Sequence, residues 1–302
     1  MSKKNQDNHI RLGSRASPLA RRQSEMVAHY IRHYFPNVTI SFHVYTTSGD
    51  KLKDVPLHSF GGKGLFCKEV DQACINNEID VAVHSAKDMS VHCPDGLVLA
   101  ATLPRESAGD VLISQNNVTL DQLPHGARVG TCSLRRHALL KHLRPDLKIG
   151  HLRGNVQTRL NKILSGAFDA TVLAAAGLRR LGYGEDFGFR LDQEVFIPSA
   201  GQGVIALVMK PDSPVVSMVR DVNHIETWQC FKAEQFVLKL LGASCQMPVG
   251  AYARLDGSTL SLKAMMANET LSHTVFADNS GMDFEGVAEK TAHDLRAKLK
   301  NT

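Results

Sequence analysis

Three arginine-bearing junctions carry the strongest chemical signal in the chain. Ser133-Leu134-Arg135-Arg136 opens a predicted helix, Arg153-Gly154-Asn155 lies between a predicted strand and helix with Arg159 after it, and Leu178-Arg179-Arg180 follows another predicted strand. Guanidinium forks bind carboxylate or phosphate bidentately, and amides at helix starts add to the field. The implied chemistry is recognition of a ligand bearing several carboxylates or phosphates. For any one arginine a solvated helix face is an equal reading, but repetition at predicted sheet ends favours the ligand. From Arg128 to Arg190 there are nine Arg, three Lys and four acids, a local net charge of +8, while the rest of the chain sums to −3.

Asp88, beside Lys87 at the end of a predicted buried strand, can stabilise a developing positive charge or move a proton; by spacing alone it is a turn or N-cap aspartate. Gly61-Gly62-Lys63-Gly64 lacks the G-x-x-x-x-G-K-[ST] phosphate-loop pattern and reads as a ligand-contacting loop or a plain turn. Gly201-Gln202-Gly203-Val204-Ile205-Ala206 fits G-x-G-x-x-A by letter, but an apolar strand follows where a dinucleotide site needs a helix. Cys245 sits in a Gly- and Pro-flanked turn between a helix and a strand, where a thiolate can act as nucleophile or covalent anchor; without further information it is an ordinary thiol. The 14 histidines show no H-E-x-x-H or clustered spacing, and the six cysteines no C-x-x-C pair, so the sequence calls for neither a metal nor a disulfide framework.

The elements that must position these residues alternate. An apolar start at Ile10 to Leu12 runs through Gly13 into Ser17-Pro18, an N-cap with proline at the first helical position, and Leu19, Gln23, Met26, Val27, Tyr30, Ile31 and Tyr34 then share one predicted face. Val38, Ile40, Phe42 and Val44 alternate as a half-buried strand. A helix over about Leu65 to Asn77 leads into Ile79 to His84, a short apolar run typical of a buried parallel strand, and Asp88 leaves its carboxyl end, where open α/β sheets place ligands. The alternation repeats: strands at Val111 to Ser114, Arg128 to Gly130, near Ile149 and at Ala170 to Leu173, with helices from Ser133 and Asn155. Val204 to Met209 is a strand placed to return to the first sheet. A long helix to Leu241, strands near Leu260 to Met266 and Thr274 to Ala277, and a helix from Phe284 to Leu299 make a small α+β addition. The fold class is α/β, with two doubly wound domains (residues 1–103 with 201–220, and 104–200) and an α+β third (221–302).

Length and composition agree. At 302 residues and 33.1 kDa the chain has room for two or three cores, and 43% apolar with 22% charged residues is ordinary globular usage. No stretch approaches the roughly 20 apolar residues of a membrane span, and Asn5 to His9 stand where a signal peptide needs an apolar region, so the expected location is the cytoplasm. A net charge of +5 is too mild to imply nucleic acid.

Taken in order, residues 11–20 (RLGSRASPLA), 61–66 (GGKGLF), 83–88 (VHSAKD), 130–136 (GTCSLRR), 152–160 (LRGNVQTRL), 175–182 (AAGLRRLG) and 242–250 (GASCQMPVG) resemble the porphobilinogen deaminase (hydroxymethylbilane synthase) family of tetrapyrrole biosynthesis. The resemblance spans nearly the whole chain. It implies a monomeric three-domain transferase, its first two domains similar to type II periplasmic binding proteins and facing one another across an active cleft, its third carrying the cofactor. The Cys245 sulfur is then the thioether anchor of a dipyrromethane primer. Four porphobilinogen molecules add one at a time, each losing ammonia, until hydrolysis releases hydroxymethylbilane.

By the same carry-over Asp88 and Lys87 are catalytic. Thr131, Ser133, Arg135, Arg136, Arg153 and Gly177 join Lys87 and Asp88 in holding the cofactor, and Arg15, Ser17, Lys63, Phe66, Arg153, Arg159 and Arg180 bind substrate. The residue chemistry suits this: each pyrrole brings an acetate and a propionate for the guanidinium forks, and a fixed carboxylate at Asp88 would stabilise the positive azafulvene left by deamination. Three positions depart from the family pattern. Cys132 replaces a common serine, leaving the surrounding backbone amides for the cofactor; Ala108-Gly109 replaces a proline and a basic residue at the first interdomain hinge; Arg21 replaces an apolar residue. An anion-binding protein without chemistry is the competing class, and a phosphate-ester enzyme a third; neither gives Cys245 a purpose.

Overall fold

The computed structural model describes residues 9–51, 65–243 and 247–301. In chain order, β1 (His9–Arg15), α1 (Pro18–Tyr34), β2 (Thr39–Tyr45), the one-turn α2 (Ser48–Lys51), α3 (Lys68–Ile75), β3 (Val81–Ser85) and β4 (Val98–Thr102) come first. There follow β5 (Asp110–Ser114), β6 (Arg128–Gly130), α4 (Leu134–Leu143), β7 (Lys148–Gly150), α5 (Val156–Leu164), β8 (Ala170–Ala174), α6 (Ala175–Arg180) and the two-residue β9 (Phe189–Arg190). Then come β10 (Ile205–Met209), α7 (Val216–Asp221), α8 (Ile225–Leu241), β11 (Val249–Asp256), β12 (Thr259–Ala267), β13 (Thr274–Gly281) and α9 (Phe284–Lys300).

The first sheet has the order β2-β1-β3-β10-β4, the second β7-β6-β8-β5-β9. Each carries three parallel strands with the first-formed in the middle, then one antiparallel strand that enters from another part of the chain. β10 is that strand in the first sheet, lying between β3 and β4, so the returning strand expected at Val204 to Met209 is present. The antiparallel sheet β11-β12-β13 with α9 packed on it is the small α+β addition. The fold is the α/β class with two doubly wound sheets that the sequence implies.

Two compact units divide these elements. One ends at Arg105 and resumes over Val204–Gln229; the other takes Glu106–Gly203 and resumes at Cys230. In the first, β3 is buried on both faces, as its unbroken apolar run requires, and Val81 and Val83 join Ile10, Leu12, Val27, Ile31 and Leu207 in one core. Gly13 lets β1 approach the segment before β3, since a Cβ there would fall 2.2 Å from Ile79 Cδ1. In the second, Met265 and Ala267 of β12 share a core with Leu139 and Leu140 of α4, so the α+β addition is part of that unit. Glu234 of α8, fully buried, accepts from the Gly201 and Ala253 amides at 2.7 and 2.8 Å.

Two sequence expectations need correction. The buried face of α1 is Ala20, Gln23, Ser24, Val27, Ala28 and Ile31, and Tyr34 is 55% exposed. Aromatic and Met side chains at the margins drew the sequence reading about one position round the helix, because small residues, including Ser24, make the close contact with the sheet. In β2, Phe42 and Val44 are exposed: β2 is an edge strand, so its alternation does not mark a core face.

Candidate functional site

In the first unit the carboxyl ends of parallel β1 and β3 lie at one sheet edge, which places Arg15, Ser17, Lys87 and Asp88 there. Asp88 ends a single 3₁₀ turn, Ala86–Asp88, directly after β3, and its carboxylate is 31% exposed. Arg15 Nη1 lies 3.8 Å from Asp88 Oδ2, a charge contact too long for a hydrogen bond. The same guanidinium covers the Phe66 ring at 4.3 Å from its centroid. Phe66 also lies against the Gly49 backbone, where a Cβ would come 2.4 Å from its ring. Its ring thus holds Arg15 in position.

Ser17 is the N-cap that the Ser-Pro pair predicts, its Oγ accepting from the Ala20 amide at 3.2 Å. That leaves its hydroxyl proton available to a ligand acid group. Arg21 is exposed on α1, where a charged side chain is solvated without cost. Lys63 and the rest of its glycine-rich loop lie outside the described residues.

In the second unit β6, β7 and β8 run parallel, so their three following junctions share one sheet edge. Ser133 to Arg136 and Arg153 to Asn155 lie at the first two of these, and Arg179 and Arg180 close α6, the helix that follows β8. Ser133 caps α4, accepting from the Arg136 amide at 3.3 Å, and Asn155 caps α5, accepting from the Thr158 amide at 2.8 Å. Arg159 Nε donates to the Gly154 carbonyl at 2.8 Å, which fixes it beside Arg153. Gly177 is buried in α6, immediately after β8. Arg180 is partly buried; Nη2 donates to the Gly203 carbonyl at 2.6 Å, burial lowers its guanidinium to about 10, and Nε is buried with no protein acceptor among the described residues.

Arg135 and Arg136, carried over as cofactor ligands, share a protein partner: both converge on the buried Asp110 carboxylate, at 2.8 and 2.7 Å. Arg135, 2% exposed, also donates from Nε to Ser199 Oγ and from Nη1 to the Ile197 carbonyl. Arg136 donates also to the Val172 carbonyl, and its Nε is buried without a partner among the described residues. Burial alone would raise the Asp110 carboxyl, but the two guanidinium groups hold it well below the ordinary carboxylate range. Asp110 was missed in the sequence; its only signal was an acid opening the otherwise apolar strand β5.

The amides next to Cys132 are also committed: Thr131 N donates to the Gly150 carbonyl at 2.9 Å and Ser133 N to Thr131 Oγ1 at 3.1 Å. The Cys132 thiol itself donates to the Leu152 carbonyl at 3.0 Å, and burial pushes its pKa up. Ala108-Gly109, the other departure, is clasped by Gln202 Nε2, 2.6 Å from the Ala108 carbonyl. Cys245 lies outside the described residues.

The family model described as porphobilinogen deaminase, dipyrromethane cofactor binding domain, matches residues 10–217, and that of the porphobilinogen deaminase C-terminal domain matches 228–301. A porphobilinogen deaminase from Dichelobacter nodosus is 46% identical over 95% of this chain and 97% of its own length. One from Syntrophobacter fumaroxidans is 41% identical over 97% and 94%. Among solved structures, the methionine binding protein MetQ aligns over 74% of this chain and 91% of its own at 16% identity, with a TM-score of 0.43.

Proposed function

Because the chain belongs to the porphobilinogen deaminase family, we propose that the two residue sets described above divide one reaction, Asp88 acting on the reacting pyrrole and the arginine junctions holding its carboxylates. The enzyme condenses four porphobilinogen molecules head to tail, each with loss of ammonia, and hydrolysis releases hydroxymethylbilane. Its cofactor is dipyrromethane.

The donor set suits that cofactor. Buried guanidinium N–H groups without acceptors are costly, and Arg136 Nε and Arg180 Nε are two such groups in the unit that bears the arginine junctions. Acetate and propionate groups complete them. Arg135, Arg136, Arg153, Lys87, Asp88, Gly177 and the Thr131 and Ser133 hydroxyls would hold the cofactor, with Cys245 as its covalent anchor. When bound, the dipyrromethane supplies the nucleophilic pyrrole carbon to which the first substrate is joined.

The observation that carries the reading is Asp88, a partly exposed carboxylate on the single 3₁₀ turn at the carboxyl end of β3, with Arg15 3.8 Å from it. As ammonia leaves, positive charge develops on the substrate ring nitrogen, and a carboxylate already fixed there stabilises it without reorganisation. Asp88 also accepts from the pyrrole N–H. Lys87, Arg15 and Ser17 bind the substrate acid groups, Phe66 holding Arg15 for that purpose. Arg153, Arg159 and Arg180 take those of the lengthening chain, and Lys63 those of the incoming ring. We read the active form as a cytoplasmic monomer, its oligomeric state to be tested by light scattering on the purified protein, and as one that binds no nucleic acid, which the mild net charge of +5 supports.

The deciding experiment is the intact mass of the purified protein before and after porphobilinogen is added, beside Cys245→Ser. A dipyrromethane-sized excess that vanishes in the variant, with one-pyrrole increments on adding substrate, is expected. An unmodified thiol after incubation with substrate, with no ammonia released, would leave an anion-binding protein.

A further inference from the structure

On the far side of the Asp88 turn lies a group that the reaction does not use. Cys67, Asp71 and His84 are all buried, and one donor atom from each, sulfur, carboxylate oxygen and imidazole nitrogen, lies within 4.8 Å of the others. No sequence spacing announces the trio. Cys67 and Asp71 are four residues apart at the start of α3 and so share a helix face, while His84 comes from β3, with Nε2 2.7 Å from Asp71 Oδ1. Cys67 and Asp71 of the trio border a cavity of ≈190 Å³ whose wall also includes Met89, His92 and Cys93.

We propose that Cys67, Asp71 and His84 form a binding site for a zinc-class divalent cation, with a fourth coordination position open to this cavity. Three arguments favour that ion class. A thiolate, an imidazole and a carboxylate are the three zinc donor types, and bonds of about 2.0–2.3 Å to one ion would draw atoms at this spacing together with small side-chain movements. A thiolate and a carboxylate balance a divalent charge, so the occupied site is neutral, as burial demands. The cavity has room for water, and its wall brings a second thiol and a second imidazole. Coordination forms a metal–sulfur bond at the expense of the Cys67 S–H bond, the proton passing to solvent.

That proton has a structural task. The Cys67 thiol donates to the backbone carbonyl of Asp88 at 3.5 Å. An ion on Cys67 removes this hydrogen bond from the turn that presents the Asp88 carboxylate, so occupancy lowers turnover reversibly. This second effect rests on the role proposed for Asp88; the binding itself does not.

The test is a titration of the holoenzyme with Co²⁺ as a spectroscopic substitute for zinc. A sulfur-to-cobalt charge-transfer band in the near ultraviolet, saturating near one equivalent, is expected; Cys67→Ala abolishes it, Asp71→Asn weakens cobalt binding more than about tenfold, and Cys74→Ala, on the same helix, retains it. Absence of the band in the wild type, or its survival in Cys67→Ala, overturns the site. Should Cys67→Ala not fold, Asp71→Asn decides: unweakened cobalt binding overturns the site. Zn²⁺ added to the holoenzyme should lower the rate of ammonia release, with recovery on adding a chelator. A band without inhibition overturns the link to Asp88 and leaves the binding site standing.

Discussion

The Arg15 guanidinium stands 3.8 Å from the Asp88 carboxylate while resting on the Phe66 ring, so it is fixed by the aromatic face and only loosely engaged by the acid. A tight bidentate pair would have spent both groups on each other. The loose pairing keeps the Asp88 carboxylate available to a ligand at the end of β3.

Asp88→Asn keeps the size and removes the charge. We expect the rate of ammonia release to fall by at least about 10²–10³-fold, with stability to urea within about 0.5 kcal/mol of wild type because the side chain is partly exposed. A near-normal rate in a folded variant would refute the role.

Asp110 tests the opposite situation, an acid fully consumed by its partners. Asp110→Asn leaves two buried guanidinium groups facing a neutral amide and should cost about 3–5 kcal/mol. Because the folded carboxyl titrates below the ordinary 3.8, its contribution is complete above about pH 4 and is lost only as the pH falls further. The gap in urea stability between variant and wild type should therefore be constant from pH 5 to 8 and narrow below about pH 4.

Arg180 has one donor on the Gly203 carbonyl and one buried without a protein partner. If that second donor serves a ligand carboxylate, Arg180→Gln raises the KM for porphobilinogen about 10–100-fold, the worth of one charge-assisted hydrogen bond, and Arg180→Lys recovers part of it. A purely structural role predicts reduced urea stability with KM unchanged.

Gly203 and Gly182 have the same left-handed backbone, φ +88° and +86°, but different surroundings. A Cβ at Gly203 would lie 2.2 Å from the Glu106 carbonyl oxygen, whereas at Gly182 it would meet nothing within 4 Å. Gly182→Ala should cost about 1–2 kcal/mol from backbone strain alone, and Gly203→Ala more, by thermal or urea unfolding.

Local chemistry was legible in the sequence wherever cause and effect lie within one turn. Ser17 was readable as a cap, and Ser133 and Asn155 as helix starts, because the amide each satisfies is three residues on. Asp88 was placed because the apolar run of β3 fixes where the strand stops. The shared partner of Arg135 and Arg136, Asp110, was not legible because it is 25 and 26 residues away on another strand, a distance at which no sequence periodicity operates. For the same reason His84 gave no sign of Asp71, and Phe66 none of Arg15. The edge strand β2 misled because alternation reports a half-buried surface only where something covers it.

The order of strands along the chain has a consequence for synthesis. In the first sheet β4 pairs only with β10, and β10 alone joins it to β3, so residues 205–209 complete a sheet begun at residue 9. The second sheet needs nothing beyond Arg190. A chain emerging from the ribosome can therefore finish its second sheet while the first still lacks its central antiparallel strand, with the edges of β3 and β4 unpaired. The earliest residues to be made wait for nearly two hundred others before their sheet closes. A truncation between Arg190 and Ile205 leaves the Asp88 turn on an incomplete sheet, even though Asp88 itself was translated long before.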